Sequence, residues 1–503
     1  MIVQKDSLEF LQEQKDFAFD INYSDPPYAL GSEIYIRPDG KFDYKKATDF
    51  MNKWDMPTGE YWEKWFDESF RTLKHGGYCV MFGMDRQLPM FQYYAIKAGF
   101  QVRQSMYWYF ISSFPKASDL SKNLDKNAKA EREIVGKQKY SMPMVEGGKL
   151  LNGSEYRING DITIPTTDLA KKYEGYKYSI APLKQTCETI MVFQKPYKTG
   201  SCLHDTLAYE NGDETCACFA WNIDGGRVAS QEDLSKNYKS IRKSDDEMGE
   251  RVGKMGFRQG KDSFCEAPNS IELGRYPSQT FCDSGTAERL DEQSGSSKSA
   301  GGTGDASKGK KGVLGFEGKA NGGFGDIGGC SKILHKCDYE NGEMDLYVYA
   351  PKVSKTERNA GCDDLDEKEM GKNQSSLDGG KMLTGSGNER NNIQRNNHPT
   401  LKPISLSYRV LKLFKTPNPQ KIVYPFAGVQ SEVIGGYKAG FTDFSGCELN
   451  AEFVDIGKVR FDHWKDKPFD EKGKVVEPKK ENKAKEKKEE KPKKKPNVQL
   501  KLL

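Results

Sequence analysis

KIVYPFAGVQSEVIGGYKAGFTDFSGCELN, residues 421–450, is the stretch whose reading decides the fold. It reads as a strand, a turn carrying Gly428, a helix, a glycine, and a second strand ending in an acid, Glu448. In nucleotide-type α/β sites the glycine of such a turn lets backbone approach a ligand, and a carboxylate about 20 residues later receives ribose hydroxyls. Gly428 and Glu448 have that separation, so they point to a cofactor bearing a ribose. An ordinary βαβ unit whose acid faces water has the same spacing, and the choice between the two rests on the rest of the chain.

The decisive companion lies near the other end, in FDINYSDPPYALG, residues 19–31. An apolar run from Phe17 to Tyr23 reads as a buried strand that must stop at Asp25, because Pro26 and Pro27 donate no ladder hydrogen bond. Ligands of open α/β sheets bind at the carboxyl ends of strands, which is where this turn places Asp25 and Tyr28. Further along, Thr58 is suited to cap a helix with Trp62, Trp65, Phe66, Phe70 and Leu73 on one face and Gly76 and Gly77 as its stop. The two tryptophans read as core residues. YCVMFG reads as the next strand, Asp85 as the cap of a second helix ended by Gly99, and FQVRQSMYWYF as a further strand. This βαβ rhythm predicts a parallel sheet with helices on its faces.

From about Pro115 to Asn397 the chain is rich in glycine, serine, lysine and aspartate, with strand candidates in CETIMVFQKP and MDLYVYAP. Such composition reads as a loop-rich insertion. HPTLKPISLSYRVLKLFKTP then restores helical spacing, with Pro403 in its first turn. The expected organisation is a first part over 1–117, an insertion over 118–397 that includes returning core strands, a further part over 398–464, and a tail over 465–503.

The 503 residues carry a net charge of +4, unevenly spread. The tail holds 15 Lys against 8 Asp or Glu, a net +7, which leaves −3 for residues 1–464. With almost nothing apolar to bury, the tail is expected to be disordered, either tethering nucleic-acid phosphates or acting as a solubilising end. Eleven scattered cysteines, no signal-peptide pattern and no membrane-length apolar run fit a reducing cytoplasm. Cys216 with Cys218, and Cys330, His335 and Cys337, lack the paired spacing of a structural zinc site, so no metal is expected.

Asp25-Pro26-Pro27-Tyr28, His398-Pro399-Thr400-Leu401-Lys402-Pro403, and Pro425-Phe426-Ala427-Gly428 followed by Cys447-Glu448 together resemble the motifs of the DNA amino-methyltransferases. The catalytic motif comes first and the cofactor motif last, similar to the permuted β-type order of that family. GGYCVMFGMDRQLP, SSFPKASDLSK, WNIDGGRV, ELGRYPSQTF and VSKTERNAG resemble its phage-type members. The resemblance implies an α/β, Rossmann-like S-adenosylmethionine-dependent methyltransferase fold with permuted motif order. It also implies methyl transfer to N6 of adenine in double-stranded DNA, with N4 of cytosine as the alternative base, as in restriction-modification or phage DNA marking.

In that reading Asp25 and the Pro26 carbonyl accept hydrogen bonds from the target amine, and Pro27 stiffens the turn. Tyr28 holds a base flipped out of the duplex. The resemblance assigns the cofactor to Asp6 and Ser7, to His398, Thr400 and Lys402, and to Phe426, Ala427, Gly428 and Glu448. Lys402 is expected at the cofactor carboxylate, and the strand before Asp6 beside the one ending at Glu448. Tyr424, Val429 and Gln430 depart from the family's Asp-Pro-Phe-small-Gly-Ser-Gly turn. A side chain at 430 narrows the approach to the cofactor or demands a φ that glycine adopts more easily. The rival class is a degenerate homologue that binds DNA without turnover. In the methyltransferase reading residues 1–117 are the catalytic half, 398–464 the cofactor-binding half, and the insertion over 118–397 carries target recognition, with Arg227, Arg251, Arg258 and Arg275 as candidates for phosphate or guanine contacts.

Overall fold

The computed structural model describes residues 1–28, 33–45, 57–110, 117–137, 161–179, 181–227, 276–282, 284–295, 297–298, 327–328, 335–336, 353, 355–369 and 393–467. Its centre is one sheet. In chain order its strands are β1 (Ile2–Gln4), β2 (Phe19–Ser24), β3 (Leu73–Gly83), β4 (Met106–Tyr109), β5 (Cys187–Gln194), β6 (Thr280–Cys282), β7 (His335–Lys336), β8 (Lys421–Tyr424) and β9 (Asp443–Glu448). Across the sheet they run β1-β9-β8-β2-β3-β5-β4-β6-β7, with the short strand Gln101–Val102 also pairing with β5. The first strand of the chain therefore lies beside the last, with Ile2 opposite Gly446 and Gln4 opposite Glu448. This is the neighbour relation that the permuted motif order implies.

Alternation along β3 divides the core into two layers. Cys79 and Met81 face α1 (Ser7–Gln12), α2 (Gly59–Thr72) and α3 (Leu88–Ala98), where Trp62, Trp65, Phe66 and Phe91 are fully buried. Tyr78, Val80 and Phe82 face the opposite layer, built on Leu406, Val410 and Leu411 of α5 (Ile404–Lys412) and Val433 of α6 (Ser431–Lys438). Two further helices, α4 (Lys355–Asn359) and α7 (Ala451–Trp464), complete the cofactor-motif end of the molecule.

Several local expectations are corrected. Gly76 and Gly77 do not stop α2, which ends at Thr72; they lie inside β3, where the register with β2 slips between Phe19 and Ile21. Gly76 has φ +80°, and a Cβ on Gly77 would stand 2.9 Å from the carbonyl of Asp20, so the pair makes a bulge that the close strand approach requires. Asp85 does not cap α3; Gln87 holds that position without a side-chain bond to the helix, its amide being directed to the carbonyl of Pro27. FQVRQSMYWYF divides into two strands, Gln101–Val102 and Met106–Tyr109. The sheet is parallel except at β5, which runs against both β3 and β4. Pro403 precedes α5 as its cap rather than lying in its first turn. MDLYVYAP, Arg251, Arg258, Arg275, Cys330, Cys337 and the tail from residue 468 fall outside the described residues.

Candidate active site

The carboxyl ends of β2, β8 and β9 and the amino end of the antiparallel β5 meet at one edge of the sheet. At that edge β2 ends at Ser24 and the DPPY turn begins. Gln87, buried ahead of α3, donates from Nε2 to the carbonyl of Pro27 at 2.9 Å and fixes the turn from below. The Tyr28 hydroxyl donates to Asp25 Oδ1 at 2.8 Å, so the two functional side chains of the motif are tied to one another. Burial pushes the Tyr28 phenol well above its usual range, with the Asp25 charge adding to it, so it stays a neutral donor.

Lys402 enters the same cluster. Its Nζ lies 2.6 Å from each Asp25 oxygen and 2.9 Å from the Tyr28 hydroxyl, and only 3% of its side chain is exposed. The resemblance expects this lysine at the cofactor carboxylate; here its ammonium lies against the catalytic turn. Two buried acids that sequence reasoning passed over complete the cluster. Glu188, on β5, stands 3.7 Å from Lys402 Nζ, and the Tyr28 hydroxyl is 3.5 Å from its Oε2. Glu432, in the first turn of α6, has its carboxyl held above the usual range by desolvation and, secondarily, by Asp25. The signal for Glu188 in the sequence was an acid inside the apolar strand CETIMVFQ; that for Glu432 was hidden, since acids are ordinary in a first helical turn.

Beside this cluster lies the glycine turn. Glu448 ends β9 with Oε2 accepting from Gly428 N and Oε1 from Asn450 N, each at 2.9 Å, which holds the carboxylate at the turn. Gly428 has φ +48°, and a Cβ there would meet His398 Nε2 at 3.1 Å. The two residues therefore wall a cradle that any side chain at 428 would begin to fill. Burial, helped by Arg358, lowers the His398 imidazole to about 3, so it is neutral. Phe426 stacks on Trp65 at 5.7 Å. Asp6 caps α1 through Leu8 N and Glu9 N and receives the Tyr61 hydroxyl at 3.3 Å. Ser7 is buried, its Oγ 2.6 Å from Trp65 Nε1, so its hydroxyl props α1 against α2. Ala427 is buried and Thr400 is exposed.

The three departures from the family's turn are accommodated by the interior. Gln430 has φ +64° and ψ +26°, the left-handed conformation foreseen from its glycine-like position. It is only 5% exposed and lies on Gly457 of α7, where an added Cβ would stand 2.7 Å from its Cγ and Nε2. Tyr424 is buried with its hydroxyl against Gly436, where a Cβ would come within 1.8 Å of it. Val429 packs with Leu401, Ile456, Val353 and Cys362. The turn is also pinned by Arg460, fully buried on α7, which donates from Nη1 to the carbonyl of Val429 at 2.5 Å and to Ser431 Oγ at 3.0 Å. VSKTERNAG supplies α4, where Glu357 Oε1 accepts from Ile404 N at 2.9 Å and Arg358 donates to the carbonyl of His398. The insertion thus returns to brace the cradle. Arg227 pairs with Asp224 at 2.7 Å.

A carboxylate with a backbone-fixed orientation, a glycine turn and a neutral imidazole suit a ribose-bearing, cationic cofactor: none of the three presents a fixed positive charge to it. Among the described residues no group of three or more His, Cys, Asp or Glu is arranged to hold a metal ion, and no helix is long and apolar enough to cross a membrane.

The N6/N4 DNA methylase family model matches residues 19–459. Solved structures with similarity to the chain include the M1.HpyAVI–SAM complex, 10% identical, covering 92% of this chain and 98% of that one with a TM-score of 0.30. TTHA0409 from Thermus thermophilus, complexed with S-adenosyl-L-methionine, is 11% identical and covers 92% and 95% with a TM-score of 0.31. The PvuII cytosine-N4-specific DNA methyltransferase is 11% identical and covers 92% and 85% with a TM-score of 0.35. No curated protein sequence matches the chain.

Proposed function

Since the chain belongs to the N6/N4 DNA methylase family and is an S-adenosylmethionine-dependent DNA amino-methyltransferase, we propose that its target is N6 of adenine and that Asp25 is the group that activates it. The observation that carries the proposal is the turn itself: an acid rather than a serine opens it, at the carboxyl end of β2, tied to Tyr28 and adjoining the cradle of Gly428 and Glu448.

An exocyclic amine is a poor nucleophile because its lone pair is delocalised into the ring. Asp25 and the Pro26 carbonyl accept its two hydrogens, which draws the nitrogen toward tetrahedral geometry and localises the lone pair. Asp25 acts as an oriented acceptor, and the nitrogen sheds its proton once it has become cationic. A base inside a duplex cannot reach this turn, so it leaves the stack and rests on the ring of Tyr28. S-adenosylmethionine supplies the methyl group. Gly428 leaves room for backbone approach, Glu448 binds the ribose, Asp6 the adenine, and His398 closes the cradle without a competing charge. Holding nitrogen and methyl in line is the remaining contribution.

The test is transfer of labelled methyl to unmethylated DNA, followed by digestion and mass identification of the nucleoside. N6-methyladenine, absent with Asp25→Ala, is the expected product. N4-methylcytosine would keep the role of Asp25 and overturn the base. No product together with no cofactor binding by calorimetry would leave a DNA-binding homologue without turnover.

A further inference from the structure

The Lys402 ammonium is engaged by both oxygens of Asp25 and by the Tyr28 hydroxyl. In that arrangement Asp25 has its strongest acceptor directions facing an ammonium, and the target amine must displace it. A buried ammonium released from its carboxylate is costly unless a second acceptor of the right charge is within reach. Glu188 meets that condition. It is 1% exposed on the rigid strand β5, and its Oε2 is 3.7 Å from Lys402 Nζ, inside ion-pair range but beyond a hydrogen bond. A shift of about 1 Å in Nζ converts that separation into a charge-assisted hydrogen bond. The Tyr28 hydroxyl, 3.5 Å from the same oxygen, borders both positions.

We propose that Glu188 is a positioning residue that takes over Lys402 when the target amine engages Asp25, so that one lysine is handed between two carboxylates while the site keeps its net charge. The proposal rests on Asp25 being the acceptor of the amine. It accounts for a buried acid on a strand whose other residues are apolar or neutral, at the one end of β5 that reaches the catalytic edge.

The experiment is single-turnover methyl transfer with cofactor and DNA saturating, for wild type, Glu188→Gln, Glu188→Asp, Lys402→Met and the Glu188→Gln/Lys402→Met double variant. Equilibrium binding of S-adenosylmethionine and of DNA is measured alongside. Glu188→Gln is expected to slow transfer about ten- to a hundredfold, the worth of one hydrogen bond to a charged group, with both dissociation constants within about twofold of wild type. Glu188→Asp, which restores the charge, should recover part of that rate. In the Lys402→Met background Glu188→Gln should cost nothing further, since there is no ammonium to receive; a merely structural role would subtract equally in both backgrounds. Glu188→Gln transferring within twofold of wild type, or an equal loss with and without Lys402, would overturn the proposal. If Glu188→Gln alone does not fold, the double variant carries the test: it should fold and match Lys402→Met, and a slower double variant overturns the handover. A wild type that yields no methylated nucleoside would refute the activation reading instead, whatever Glu188 does.

Discussion

Gln430 and Gly457 should behave as a single unit in stability measurements. Gln430 holds φ +64°, and a non-glycine residue there costs about 1 kcal/mol. Its side chain is accommodated only because Gly457, inside α7, presents no Cβ. Gly457→Ala inserts a methyl 2.7 Å from Cγ and Nε2 of a buried side chain; such overpacking costs about 1–3 kcal/mol, against about 1 kcal/mol gained in helix propensity. The net loss is about 0–2 kcal/mol. In Gln430→Gly the strain is relieved, while the added freedom of the unfolded chain takes back about 0.5–1 kcal/mol. Gly457→Ala then meets no side chain and keeps its gain of about 1 kcal/mol. The same substitution should therefore change sign between the two backgrounds, a coupling of about 1–3 kcal/mol. Thermal unfolding of the four proteins without cofactor reads this as shifts of a few degrees. Calorimetry should find the affinity of Gln430→Gly for S-adenosylmethionine within about threefold of wild type, because the side chain lies on α7 and not in the cradle. Gly457→Ala lowering the melting temperature equally with glutamine or glycine at 430 would refute the packing argument.

Gly428→Ala places a methyl against His398 and a side chain at φ +48°, and should weaken cofactor binding by tenfold or more, about 1.4 kcal/mol, by calorimetry. Asp25→Ala should abolish methyl transfer while cofactor affinity stays within about threefold, since Asp25 faces the amine; a variant keeping most of the single-turnover rate would remove its assigned role. His398 is lowered from 6.5 to about 3, so between those values the folded protein binds fewer protons than the unfolded chain, and stability falls as the pH drops. His398→Asn should therefore lose less melting temperature than wild type between pH 7 and pH 5, by up to about 1.4 kcal/mol per unit within the window; equal losses would place the imidazole in water. Removing residues 468–503 should weaken DNA binding mainly at low salt and flatten the dependence of the binding constant on salt, and an unchanged slope would leave this segment as a solubilising end.

The sheet and the two motif-bearing turns were legible because each rests on local chemistry. Pro26 and Pro27 end β2 wherever it lies, and Gly428 and Glu448 carry their spacing within one strand-turn-helix-strand unit. Even the strain at Gln430 was legible, as a glycine-like position filled by another residue. What sequence could not convey is partnership between distant segments. Gly457 is an unremarked helical glycine until Gln430 is laid against it, and Gly436 until the Tyr424 hydroxyl is. The antiparallel course of β5 was hidden because a buried strand reads the same in either direction, and that reversal is what carries Glu188, its second residue, to the catalytic edge. Had β5 run parallel to β3, the acid would stand at the far end of the sheet, where Lys195 now donates to the carbonyls of Phe70 and Leu73. Strand direction, and not residue type, thus decides which acid reaches Lys402. The resemblance fixes motif order and leaves open the three-way contact of β2, β5 and the approach to α5, in which Lys402 is buried against Asp25.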